Sequence, residues 1–318
     1  MAGAAVAAVA LSLAACSPSA PSSSGSPQSS ASRRSPREST APASGSAPAS
    51  APAAATPLDH VVIILEENKS AARIIGDSAA PFINALATGN ALAGNYAAVT
   101  HPSLPNYLAL TSGTTAGIAS DCNPPGGACT ADVPSIADRI EESGRSWAMY
   151  AEDMPGPCAP DNSGRYAVKH NPFMYYPGIT GDVARCRAHV LPFSDFGGDL
   201  ATTTSLPDYV FISPDLCNDM HDCSVQTGDE WLSHQVPGIL GSPAFTQQNS
   251  LLVVVWDEDE GGTNQVPAIF AGPAARVATT SHARYDHYSL LHTIESAWGL
   301  EPLTANDSQA PVMSDLLR

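Results

Sequence analysis

In the stretch THPSLPNYLALTSG (100–113), a single hydroxyl residue, Ser103, sits between two prolines, three residues before Asn106. Proline fixes its own φ and biases the preceding residue towards extended backbone. The spacing therefore predicts a stiff bend at Ser103, with a helix starting at Pro105. Free N–H groups at a helix N-terminus, together with the dipole, favour a negative charge. A serine placed there is either a plain cap or a nucleophile set to receive a phosphate. Carboxylates supply the rest of the chemistry: Glu66-Glu67-Asn68, then Asp215 with Asp219-Met220-His221, then the run Asp257-Glu258-Asp259-Glu260. Four successive carboxylates repel one another unless something positive offsets them. A cation bound among them would lower the cost of forming an alkoxide and polarise a phosphate oxygen.

Each acidic group follows a short apolar run: His60–Leu65 (HVVIIL), Tyr209–Ser213 (YVFIS) and Leu251–Trp256 (LLVVVW). These runs read as strands buried on both faces, which is how parallel sheets look in sequence. In open α/β sheets ligands bind beyond the carboxyl ends of the strands, so three acidic strand ends predict one shared site. Further strands are expected at Trp147–Ala151 and Val266–Phe270. Helices are expected at 81–88, 134–143, 228–235 and 286–298, where His287, Leu290, Leu291, Ile294 and Trp298 share one face. Alternation of the two types predicts an α/β fold, a mostly parallel sheet with helices on both faces. Residues 152–208, rich in Pro, Gly and Asn, read as a long insertion that could cover the substrate.

The 318 residues divide unevenly. Residues 1–16, MAGAAVAAVALSLAAC, read as a signal peptide, and their LAAC ending resembles a bacterial lipobox in which Cys16 is lipidated. Residues 17–56 are almost all Ser, Pro, Ala, Gly and Thr, a composition that cannot bury a core. They read as a disordered tether spanning roughly 35 Å. Residues 57–318 suffice for one large domain. The whole chain carries a net charge of −17; without Arg33, Arg34, Arg37 and Glu38 of the tether, 11 basic and 30 acidic residues remain, or −19. Such a domain is no nucleic-acid binder, and an anionic substrate needs a local positive feature. Apart from Cys16 there are six cysteines, and no CxxC pair suggests zinc. In an exported chain they predict disulfides; of fifteen pairings, proximity in sequence favours 122–129, 158–186 and 217–223.

Together these motifs resemble the bacterial phosphoesterase family of secreted acid phosphatases and phospholipase C enzymes, within the alkaline phosphatase superfamily. The likeness runs from about His60 to Leu303 and is closest in style to acid phosphatases active on phosphoinositides. It implies an alkaline-phosphatase-like fold. It implies that Glu67 and Asn68 (LEENKS) and Asp257 and Glu258 (VWDEDEGG) bind metal. Asp219 and His221 (CNDMHDC) would lie near the phosphate, and His287 (YDHYSLLHTIE) would contact substrate. SLPNY is similar to the nucleophile segment of nucleotide pyrophosphatases. That comparison makes Ser103 the nucleophile and Asn106 the stabiliser of the transferring phosphoryl group, with His101 near enough to assist. A shell of carboxylate and amide suits one hard divalent cation, Ca²⁺, Mg²⁺ or Mn²⁺, over Zn²⁺. His170, His234 and His292 read as structural, and Asp229-Glu230 as stabilising a helix N-terminus.

The sequence thus predicts an exported phosphatase, membrane-tethered through Cys16 or released. It would cleave phosphate monoesters, soluble or lipid headgroups, through a phosphoserine at Ser103. A phospholipase C-type phosphodiesterase and a lipoprotein that binds phosphate or metal without turnover are the alternatives. The CxPxR signature of a sulfatase is absent from the sequence.

Overall fold

The computed structural model describes residues 57–318; the expected signal peptide, Cys16 and the tether 17–56 lie outside the described residues. Among the described residues there are ten strands: β1 (Val61–Glu66), β2 (Ala91–Ala93), β3 (Tyr96–Ala97), β4 (Trp147–Ala151), β5 (Val190–Pro192), β6 (Tyr209–Ser213), β7 (Leu251–Trp256), β8 (Ala268–Ala271), β9 (Thr279–Ser281) and β10 (Tyr285–Asp286). Eight form one sheet in the order β5-β4-β6-β1-β7-β8-β2-β9, and β3 pairs with β10 in a small ribbon. Strands β5 through β7 are parallel in that order. Strand β8 runs antiparallel to both β7 and β2. The expected mostly parallel α/β sheet is therefore observed.

The central strands β1, β6 and β7 are buried at every position. This is the reason their sequences are apolar throughout rather than alternating. Parallel pairing also aligns their carboxyl ends. Glu66 is in register with Trp256, so Glu67 and Asp257 emerge side by side.

Helices differ from expectation at their ends. The helix Ser103–Ser112 starts at the serine itself, with Pro102 as its cap residue. Read as 228–235, the long helix spans Val225–Leu240 and runs through Gly228 and Pro237, two residues that mimic breakers. Gly228 is required by packing: a Cβ there would run into the Met220 side chain and lie 2.8 Å from Asn218 O. Asp229 does stabilise a helix N-terminus, but that of the helix Pro81–Gly89, accepting from Phe82 and Ile83 N–H at 3.2 and 2.8 Å. The segment 152–208 is more than a cover. It holds short helices and β5, which extends the sheet, and it sends Lys169 and His170 into the acidic region.

All three favoured disulfides are present, Cys122–Cys129, Cys158–Cys186 and Cys217–Cys223.

Candidate active site

Beyond the carboxyl ends of β1, β6 and β7, the chain gathers its acidic residues around one hydroxyl. Ser103 is 1% exposed, and Pro102, not the serine, is the cap residue of its helix. The serine Oγ donates towards Glu67 Oε2 at 3.1 Å and Glu258 Oε1 at 3.4 Å. Asn68 Nδ2 reaches the same Oγ at 3.5 Å and Glu67 Oε2 at 2.5 Å. The plain-cap reading of Ser103 is thereby excluded. Because the helix starts one residue after Pro102, the serine occupies the first turn, where backbone donors point outward.

Main-chain bonds lock the two metal-candidate pairs together. Asp257 N–H donates to Glu66 O at 3.0 Å, and Asn68 N–H donates to Asp257 Oδ1 at 3.0 Å. The other Asp257 oxygen, Oδ2, is buried and has no hydrogen-bond partner. Burial, then the charges of Asp257 and Asp219, hold Glu67 well above the usual carboxylate range, against the bond from Tyr107 OH at 2.5 Å. Burial pushes Asp257 up to about 7 despite bonds from the Asn68 and Glu258 backbone. Burial and the charges of Asp257 and Asp121 push Glu258 up to about 8. Burial is the first cause of each shift, and neighbouring carboxylate charge adds to it at Glu67 and Glu258.

Glu66 and Glu67, adjacent in sequence, go separate ways. Glu67 faces the serine. Glu66 is fully buried, neither of its oxygens has a partner, and burial, then Asp219 and Glu152, raise its pKa well above normal.

Histidines fill the other side. His101 Nδ1 lies 2.8 Å from Glu258 Oε2 and its Nε2 3.4 Å from Asp259 Oδ1, with the side chain 38% exposed. His221 bonds Asp222 through Nδ1 at 2.7 Å and meets Lys169 Nζ through Nε2 at 3.3 Å. An ammonium can only donate, so Nε2 accepts and Nδ1 carries the proton. Asp219 Oδ1 accepts the His221 N–H at 2.7 Å.

His170, read as structural, belongs to the site. It is buried, stacks on Tyr107 with centroids 5.4 Å apart, and lies 3.3 Å from Glu67 Oε1 and 3.2 Å from Asp219 Oδ2. Burial, then Lys169 and His221, hold its pKa well below the usual histidine range. Glu67, His170 and His221 each bring a ligand atom within 4.8 Å of the others. The sequence signal was faint, a lone Lys-His pair in an irregular segment.

With this geometry in view, the comparisons with known proteins are decisive. The Phosphoesterase family profile matches residues 77–301. A protein of Mycobacterium tuberculosis named phosphatidylinositol-3-phosphatase is 38% identical over 267 residues, 83% of this chain and 85% of that one. The chain belongs to the Phosphoesterase family. A phosphate-repressible acid phosphatase of Penicillium chrysogenum is 32% identical over 244 residues, covering 73% of this chain and 57% of its own length. Among solved structures, an alkaline phosphatase superfamily protein from Vibrio parahaemolyticus superposes with a TM-score of 0.59 at 13% identity, over 81% of this chain and 71% of that one. The phosphoesterase fold expected from the motifs is thus the fold observed.

Two residues expected to touch substrate stand behind the phosphoesterase site instead. Asn106 is fully buried and its amide is spent on the loop before Ser103. Its Oδ1 accepts from Val99 and Thr100 N–H at 2.9 and 3.1 Å, and its Nδ2 donates to Thr100 O and Pro102 O at 2.9 and 3.2 Å. His287 is also fully buried. Its Nε2 bonds Asp257 O at 2.7 Å and its Nδ1 meets Tyr96 OH at 3.0 Å, so it braces the backbone of a metal candidate. Burial lowers its pKa. Ser103, Glu67, Asn68, Asp257, Glu258, His101, Asp219 and His221 do converge as anticipated.

Proposed function

We propose that this phosphoesterase hydrolyses phosphate monoesters through a phosphoserine on Ser103. The observation that carries the reading is the serine hydroxyl itself, buried at a helix start and bonded to two carboxylates rather than to its own helix. A serine is a poor nucleophile until a neighbouring base takes its proton; Glu67, 3.1 Å away, is placed to do so.

A divalent cation fits the residues present. Glu67, Asn68, Asp257 and Glu258 offer oxygen donors around Ser103, and the orphaned, buried Asp257 Oδ2 is a polar atom that lacks the partner its burial requires. Such a set suits Ca²⁺, Mg²⁺ or Mn²⁺. When bound, the cation supplies positive charge that makes the serine more acidic and draws density from a phosphate oxygen. In the reaction, Oγ attacks phosphorus and passes its proton to a carboxylate. The P–O bond to the alcohol breaks, and His101, at the exposed edge, gives the leaving oxygen a proton. Water then attacks the phosphoserine and returns a proton to His101; the serine–phosphorus bond breaks, Oγ takes back the proton held by the carboxylate, and phosphate is released.

The substrate class follows the relatives by name: a phosphoinositide such as phosphatidylinositol 3-phosphate, or a smaller soluble monoester. Three disulfides suit an exported chain, consistent with a membrane tether through Cys16. No described helix is long and apolar enough to cross a membrane. The test compares release from p-nitrophenyl phosphate and from its bis ester. Faster cleavage of the monoester supports the reading, and preference for the diester replaces it with the phospholipase C-type alternative.

A further inference from the structure

The chain contains two lysines, Lys69 and Lys169, and both reach the acidic region. Lys69 donates to backbone, to Met220 O at 2.8 Å and Asn68 O at 3.1 Å. Lys169 instead meets side chains beside the serine helix and the histidines. Its Nζ donates to Asp121 Oδ2 at 2.7 Å and lies 3.3 Å from His221 Nε2, with the side chain 19% exposed. An ammonium has three N–H donors; these two acceptors leave one.

Asp121 ties that ammonium to the nucleophile. Its Oδ1 accepts the Leu104 N–H at 2.9 Å, the peptide directly after Ser103, while its Oδ2 holds Lys169. One carboxylate thus sets the position of the cation relative to the start of the serine helix. The ammonium also abuts the trio Glu67, His170 and His221, whose ligand atoms gather as if for a cation. Two cations sharing His221 would repel each other, the more so in a dry site. The ammonium therefore competes with any metal ion for this trio.

Building on the phosphomonoesterase reading, we propose that Lys169 is the phosphate-binding cation of the site. It donates its remaining N–H to a non-bridging phosphate oxygen, from the place beside His221 where a second metal ion would otherwise be held. Asp121 is its positioning residue. A chain with net charge −17 needs such a feature to retain a phosphate dianion.

The test titrates inorganic phosphate calorimetrically into the full chain and into its Lys169→Met, Lys169→Arg, Asp121→Asn and Ser103→Ala variants, with metal content measured on each. Lys169→Met weakens phosphate binding about tenfold or more, the scale of one charge-assisted hydrogen bond. Lys169→Arg restores part of that loss, Asp121→Asn weakens binding less than Lys169→Met, and one metal ion per chain remains throughout. Unchanged phosphate affinity in a folded Lys169→Met overturns the assignment, as does a second metal ion in the unaltered chain. Should Lys169→Met not fold, an Asp121→Asn affinity equal to that of the unaltered chain overturns it. Lys169-dependent phosphate binding without turnover would leave this inference standing while removing the phosphomonoesterase reading. Turnover that needs Ser103, with phosphate affinity indifferent to Lys169, would do the reverse.

Discussion

At the scale of single residues, what matters is where each polar atom spends its hydrogen bonds. Ser103 gives its hydroxyl to carboxylates, so Ser103→Ala removes the proposed nucleophile and little else. Its kcat on p-nitrophenyl phosphate is expected to fall about a thousandfold or more, with the melting temperature nearly unchanged. Near-normal turnover in the folded variant would rule out the phosphoserine. Asn106 fails differently. Its four bonds hold the backbone of residues 99–102, so Asn106→Ala strands buried donors and acceptors at about 2–4 kcal/mol. The expected outcome is a drop in chemical-denaturation midpoint together with lost activity, in contrast to the serine variant. A variant with full stability and lost turnover would instead place the amide on the phosphoryl group. Both residues stand in SLPNY, and the sequence alone gives no means of separating their tasks.

At the scale of elements, much of the candidate site sits on loops, and something rigid must aim each one. The loop bearing Asp219 and His221 is closed by Cys217–Cys223 and pressed by the helix Val225–Leu240 at Gly228, whose hydrogen leaves room for Met220. Gly228→Ala is expected to push this loop outward, lowering kcat/KM by about tenfold or more, since small misplacements of catalytic groups are costly. Activity equal to that of the parent would show that the close approach is dispensable. Replacing Cys217 and Cys223 together by Ala is expected to cost more in activity than in melting temperature. The loop is short, so the entropy removed from the unfolded chain is modest, whereas the site loses the geometry of two residues. These elements were legible in part. β4, β6 and β7 match the expected bounds because their apolar runs end sharply; the 152–208 segment was opaque because its short helices have no period to read.

Across the whole molecule, the dominant fact is uncompensated negative charge in a dry sheet edge. Glu66, Glu67, Asp219, Asp257 and Glu258 all have raised pKa values, chiefly from burial. A carboxylic acid that binds its proton more tightly when folded stabilises the fold fully below its unfolded pKa, near 4. That contribution is lost as pH rises through the folded values, about 7 for Asp257 and about 8 for Glu258. The chelator-treated protein is therefore expected to lose melting temperature between pH 5 and 8. Added Mg²⁺, Ca²⁺ or Mn²⁺ should restore it more at pH 8 than at pH 5, because cation and protons compete for the same oxygens. Thermal melts across pH, with and without the cation, check this. A pH-independent melting temperature that ignores added cation would mean that these carboxylates hold no metal.

The sequence by itself determined the class of fold, the central strands and the acidic strand ends. Apolar run length and breaks report burial directly, and parallel strands deliver their carboxyl ends to one edge. It also indicated the serine, because two flanking prolines restrict the backbone locally. Tertiary structure alone decided which of two adjacent glutamates, Glu66 or Glu67, turns towards the serine. It alone withdrew Asn106 and His287 behind the site, and brought in His170 and Lys169 from an insertion without periodicity. Most of those outcomes depend on partners thirty or more residues away, such as Glu67 to Ser103, Lys169 to Asp121 and His287 to Asp257; Asn106 is the exception, its bonds closing on residues 99–102. Side-chain direction and hydrogen-bond allegiance are settled by packing between distant segments, and local spacing carries no record of them.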